Sequence, residues 1–147
     1  MTPSLRRFLA AVVLSGVPST VHALATGDDP LRATRAAGSL VGGGAGAGVA
    51  VHLAVSAWWA FVLSRLRVRG VVAGAVAGLL IAALDLEVIG RRNARLRALP
   101  GVPQWLDHVV FGVLIAQTAN SAARRGRRAA SSAPSSKSKS QSGSSSG

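Results

Sequence analysis

The sequence predicts an all-α integral membrane protein, a four-helix bundle whose helices each cross the bilayer. Three observations lead there. Four intervals are nearly free of charge: Phe8 to Gly27, Ala36 to Ser64, Gly70 to Gly90 with only Asp85 and Glu87, and Ala98 to Ala123 with only Asp107. Each supplies the roughly 20 mainly apolar residues that a helix needs to cross a hydrocarbon core about 30 Å thick. The mean hydropathy is +0.38, where a soluble chain of this size would break its helices with Lys and Glu. The basic residues cluster at the ends of the apolar runs, where topology signals lie.

Composition narrows the partners. A net charge of +12 suits nucleic acid, but 3 Trp, 3 Phe and no Tyr provide no platform for stacking bases. The bilayer and its anionic lipids are the expected partners, and nucleic acid is not. Fifteen of the 17 basic residues are Arg, beside abundant Ala, Gly and Val, as in a GC-rich bacterial genome. With no Cys, disulfides, thiolate metal sites and a cysteine nucleophile are excluded.

Residues 1–7, with Arg6 and Arg7, form a cytoplasmic N-terminus, and 8–25 the first span. The same stretch, with Gly16, Pro18 and Val21-His22-Ala23, also fits a cleaved signal peptide, which leaves three spans. Residues 26–44 make an outer loop holding a short interfacial helix. Asp28 or Asp29 can cap that helix, Pro30 suits its first turn and Gly38 its end. The Gly-rich run from Gly42 to Gly48 leaves the start of the second span, 45–64, anywhere between Gly44 and Val49. Arg65, Arg67 and Arg69 form a basic inner turn at 65–69, and the third span covers 70–89. An Arg-rich outer loop, 90–102, leads to the fourth span at 103–123. The basic, Ser-rich stretch 124–147 reads as a disordered cytoplasmic tail.

Counting Lys and Arg with the N-terminus inside places eleven on the inner side and six on the outer. Both termini are therefore expected in the cytoplasm, although the third loop runs against the rule. Trp58, Trp59 and Trp105 read as interfacial belts. Arg124, Arg125, Arg127 and Arg128 read as contacts to anionic head groups.

Ionisable groups inside a bilayer are costly, so their positions carry the functional reading. At about 100° per residue, Gly70, Gly74, Gly78 and Ala82 form one stripe on span three, and Asp85 falls on it. Such spacing lets another helix backbone come close. Glu87 points away and suits the interface. Span two repeats the pattern with Gly44, Gly48, His52, Ser56 and Ala60. In span four His108 shares a face with Gln104, Gly112 and Ala116, while Asp107 points aside. In span one His22 aligns with Ser15, Pro18 and Ser19. His22, His52, Asp85 and His108 also fall at one depth, roughly 5–10 Å inside the outer boundary of the apolar layer. The expectation is a His/Asp layer binding a proton, an ion or a small polar ligand, with Asp107 and Glu87 as secondary members.

Three other readings stay open. The layer can be a hydrogen-bonded knot that only fixes helix register. It can hold zinc or haem in a membrane redox protein, although no HExxH or HxxxH pair is present. The chain can also be a structural subunit or homo-oligomer that docks through Gly70, Gly74 and Gly78. No catalytic residue is assigned, because Ser15, Ser19 and Ser56 lack a nucleophile-elbow context. Ser19 and Thr20, beside Pro18, suit the satisfaction of freed backbone carbonyls.

The runs Ser15-Gly16-Val17-Pro18-Ser19-Thr20-Val21-His22-Ala23-Leu24, Asp29-Pro30-Leu31 and Ala36-Ala37-Gly38 carry a resemblance. So do Val51-His52-Leu53-Ala54, Ala82-Ala83-Leu84-Asp85-Leu86, Gly90-Arg91-Arg92 and Asp107-His108. Together they resemble a set of small, uncharacterised multi-pass membrane proteins of actinobacteria, over about residues 9 to 120. The resemblance implies a bacterial cell-membrane location and brings no activity. The run Gly42 to Gly48 departs from its pattern.

The absence of native Cys makes the topology directly testable. In intact cells, Cys at position 94 should react with a membrane-impermeant maleimide, and Cys at position 67 only after lysis. Labelling of position 94 from the cytoplasm alone would overturn the orientation and scatter the polar layer.

Overall fold

A computed structural model describes residues 3–131, without the side chains of residues 3, 4, 119, 120 and 122–130. Among the described residues every regular element is helical. Helices α1 (Pro3–Ser15) and α2 (Val17–Thr26) form one rod with a break at Gly16. Pro18 has no N–H and its ring crowds the carbonyl one turn back, so the helix cannot run through unchanged. Ser19 Oγ and Thr20 Oγ1 both donate to the Gly16 carbonyl, at 3.2 and 2.7 Å. Gly27 ends the rod at φ 72°, a left-handed conformation that suits glycine.

Helix α3 (Arg32–Gly38) starts later than its sequence suggests. Leu31 stands at its N-cap without a side-chain cap bond. Asp29 instead turns the chain ahead of the helix, its Oδ1 accepting from the Leu31 N–H at 2.9 Å, and pairs with Arg35. A 3₁₀ turn (Ser39–Val41) leads to α4 (Ala45–Arg65). Gly38 and Gly48 let α3 lie backbone to backbone on the start of α4, since a Cβ at either would overlap a main-chain oxygen. Helix α5 (Val71–Ala82) runs on through a wide π-helical segment, Ala83–Ile89, and a 3₁₀ turn, Gly90–Arg92. The short α6 (Ala94–Arg97) is capped by Asn93 Oδ1, which accepts from the N–H groups of Arg95 and Leu96. The last helix is α7 (Gly101–Ser131).

Among the described residues three helical stretches are long and apolar enough to cross a membrane: Leu5–Thr26, Ala45–Arg65 and Val71–Arg92. Helix α7, read from the sequence as the fourth span, is long enough but is not one of them. Gln104, Asp107, His108 and Gln117 dilute its apolar run. It also continues through Ser131 where the sequence reading ended it at 123, because the Ala- and Arg-rich stretch that follows is strongly helix-forming. Of the tail expected at 124–147, residues 132–147 lie outside the described residues.

Helix α7 is the centre of the packing, with α5 on one side and α1 and α2 on another. Ala11, Val12, Leu63, Ala77, Ile81, Phe111 and Ile115 form the buried apolar cluster. The α5–α7 crossing is antiparallel and its backbones touch. A Cβ on Gly74 would meet the Gly112 carbonyl oxygen at 2.7 Å and the Val113 Cα at 2.8 Å, and one on Gly78 would overlap the His108 carbonyl oxygen. Gly70 does not extend this stripe, which corrects the sequence reading. It stands at the N-cap of α5 with φ 88°, and a Cβ there would meet nothing within 4 Å. The four-residue spacing continues past the end of the helix, where Gly70 serves the turn instead.

Helix α4 packs mainly on α3 and only lightly on α7. At the α3 end, two bonds tie the segment around α3 to the α6 region. Asn93 Nδ2 donates to Ser39 Oγ at 3.1 Å, and Arg32 Nη2 to the Ala98 carbonyl at 3.1 Å. Beneath this clasp, space remains between α4 and the other helices.

Two substitutions separate close packing from helix propensity. Gly78→Val should destabilise the protein by at least about 2 kcal/mol in thermal unfolding in detergent, because overpacking a close backbone contact forces the helices apart. Gly46→Ala, where nothing lies within 4 Å of the added methyl, should be neutral or stabilise by up to about 1 kcal/mol. Wild-type stability in Gly78→Val would contradict the backbone contact.

Candidate ligand site

The space between the helices is a cavity of about 280 Å³. The α1–α2 rod contributes Ser15, Ser19 and Thr20 to its wall, and α4 contributes His52, Ser56 and Trp59. Asp85 comes from the π-helical segment of the third span, and Gln104, Asp107, His108 and Phe111 from α7. Pro30, Thr34 and Ala37 close it on the α3 side.

Asp85 is the best-held group. Its Oδ2 accepts from Trp59 Nε1 at 3.0 Å and faces His108 Nε2 at 3.5 Å. The wide π turn sets this reach, since an extra residue per turn shifts which side chains face inward; such segments are frequent at functional sites. The other nitrogen of His108, Nδ1, lies 2.7 Å from the Gln104 carbonyl oxygen. A carbonyl only accepts, so Nδ1 carries a proton and the ring is fixed in orientation. Nε2 is left to face the Asp85 carboxyl.

Asp107 is held differently. Its Oδ1 accepts from the backbone N–H of Ser19 at 3.0 Å, across 88 positions of sequence. Pro18 interrupts the first rod just before Ser19, so this N–H lies in the opening turn of α2, where orphan donors and the helix dipole favour a carboxylate. His108 and His52 both lie near enough for their charge to act on Asp107. His52 itself is exposed on the cavity wall and makes no hydrogen bond among the described residues.

The structure thus brings His52, Asp85 and His108 to one cavity and adds Asp107, which the sequence reading ranked second. His22 is not with them. It lines a separate recess with Asp28, Asp29 and Arg32. Ser19, Pro30, Ala33 and Gln104 border both spaces and form the partition. The loop after α2 lies beside His22, in the recess it lines. Glu87 stays outside the cavity, exposed and paired with Arg91 Nη2 at 2.6 Å.

Trp59 is the residue that sequence reasoning missed. It is not a free belt residue, since its indole N–H is spent on Asp85. Its spacing from His52 and Ser56 already placed it on their face of α4. Trp58 keeps an outward position, 60 % exposed.

The arrangement suits hydrogen-bond and charge recognition better than metal ligation. Among the described residues no group of three or more His, Asp or Glu side chains is placed to hold a metal ion. Both nitrogens of His108 face protein oxygens, so iron or zinc could take that ring only by displacing one of them. No protein-family model, curated protein or solved structure matches this chain.

The His108 ring state can be read directly. In ¹⁵N NMR of ring-labelled protein, Nδ1 of His108 should be protonated, as the Nδ1–H tautomer or as imidazolium. A neutral ring with its proton on Nε2 would contradict the bond to Gln104.

Proposed function

We propose that this chain is a small, non-enzymatic bacterial membrane protein that binds a small polar ligand in the cavity between its helices. The observation that carries the reading is the convergence of Asp85, Asp107, His108 and His52, from three separate helical stretches, on one space of about 280 Å³. Ligand sites typically occupy about 300–1,000 Å³, mostly apolar with a few converging polar groups, and spaces between packed helices are favoured positions. Ionisable side chains within spans are costly unless they serve a pathway or a site.

In this reading α7 is a fourth span. A helix surrounded by α1, α2 and α5 faces lipid over only part of its surface, so it tolerates Gln104, Asp107 and His108. The first rod is retained, not cleaved, because Ala11 and Val12 are buried in the shared apolar cluster and Ser19 holds Asp107. Both termini lie in the cytoplasm and the cavity lies towards the outer leaflet, as the Arg distribution favours. The resemblance to actinobacterial proteins supports a cell-membrane location. Docking as a structural subunit through the Gly stripe is disfavoured, since Gly74 and Gly78 already receive α7 of the same chain.

A cavity-filling variant tests the reading. Val55 lines the cavity and is 40 % exposed, so Val55→Phe can place its ring in the space without a core clash. Phenethylamine, phenylacetate, inositol and zinc are screened by thermal unfolding of the protein in nanodiscs. At least one should stabilise the wild type, by about 2.7 kcal/mol at a hundredfold excess over its Kd, and have no effect on Val55→Phe. Identical responses of the two proteins to every compound would sink the proposal.

A further inference from the structure

We infer that the ligand is an organic cation, a primary amine whose ammonium is held by Asp107 with uncharged acceptors around it. The inference rests on the cavity being a ligand site. Charge is the first argument. Among the described residues the cavity wall carries two carboxylates, Asp85 and Asp107, and no Lys or Arg. Asp85 already has the Trp59 N–H and the His108 imidazole beside it. Asp107 remains, held from one side by Ser19. A carboxylate away from water is costly without a partner of opposite charge. The wall offers Asp107 only the imidazoles of His52 and His108, the second of them already turned to Asp85 and the Gln104 carbonyl, and a bound ammonium supplies a permanent positive charge.

The second argument is independent of charge. Ser56 is 5 % exposed and lines the cavity, yet its hydroxyl makes no hydrogen bond among the described residues. No buried side-chain nitrogen or oxygen lacks a partner among the described residues, so this oxygen is open to the cavity and available to a ligand there. The hydroxyl of Thr34 and the imidazole of His52 are likewise without hydrogen bonds on this wall. Each can accept, and a primary ammonium brings three N–H donors.

Size and wall chemistry select an organic body. A water occupies about 30 Å³ of liquid, so a bare ion would leave most of the cavity to water facing Val55, Ile81, Leu86 and Phe111. The apolar part of an amine covers those side chains. A quaternary ammonium would call for an aromatic cage. Here the only aromatic residues on the wall are Phe111 and Trp59, and the Trp59 N–H points at Asp85.

The test uses the full chain with Trp58→Phe and Trp105→Phe, so that Trp59 alone reports, in phosphatidylcholine nanodiscs free of primary amines. Phenethylamine, phenethyl alcohol and phenylacetate share a ring and differ in charge. Phenethylamine should shift the Trp59 emission saturably, with the alcohol and the anion at least about tenfold weaker. Asp107→Asn should abolish that preference, and Ser56→Ala, which leaves the charge in place, should weaken phenethylamine about fivefold. If adding phosphatidylethanolamine to the disc competes with phenethylamine, the amine is a lipid head group; if not, it is a free solute. Equal or tighter binding of the alcohol or the anion overturns the ammonium and leaves the cavity as a ligand site. Unchanged selectivity in Asp107→Asn also overturns it. No saturable signal from any of the three also overturns the ammonium, while the ligand-site reading falls only if inositol and zinc fail as well.

Discussion

The contact of α5 with α7 through glycine is the constraint from which the rest follows. Gly74, Gly78 and Gly112 remove the side chains that would hold the two backbones apart. A crossing this close fixes register to within a residue, because a slip would drive a Cβ into a main-chain oxygen. With Gly78 seated against His108, the turn after Ala82 brings Asp85 to the imidazole of that same residue. In lipid, where apolar surface gives helices little reason to associate, such packing and a few interhelical polar contacts are the main attractive terms.

The polar groups divide into those the fold uses and those it leaves. Trp59, Asp85, His108 and the Gln104 carbonyl form a continuous chain across α4, the third span and α7. That chain bridges α4 to helices it otherwise touches only lightly, so it has structural value whatever else it does. Asp107 with Ser19 plays the same part between α7 and the first rod. Ser56, Thr34 and His52 have no such duty, and they face the space that the others enclose. A purely structural knot would have no need of them.

An all-helical chain with three membrane-length apolar stretches was legible in the sequence, because charge-free runs of that length have few alternative structures. The local angle argument also put Asp85 on the side facing α7, since it lies only three residues past Ala82, where α5 ends. It failed wherever phase or length was interrupted. Gly70 lies beyond the helix whose stripe it seems to continue. His22 follows a Pro-dependent break, and a loop roofs its face. The π-helical segment at Ala83–Ile89 has no sequence signature, nor does the use of the Ser19 N–H by a carboxylate 88 positions away. Those features depend on which backbone groups tertiary packing leaves unsatisfied, and no window of sequence contains that information. Trp59 is a different case: its face was readable, but the assumption that a Trp near a span end belongs to the interface hid it.

The pairing of Asp85 with His108 is where the glycine contact, the π turn and the cavity meet. A double-mutant cycle of Asp85→Asn and His108→Gln, read as unfolding free energy in lipid, isolates that pairing from the effect of each residue alone. The account predicts a coupling of about 1–3 kcal/mol, as for residues joined in one network. Losses that simply add, to within about 0.5 kcal/mol, would mean that the two side chains do not meet.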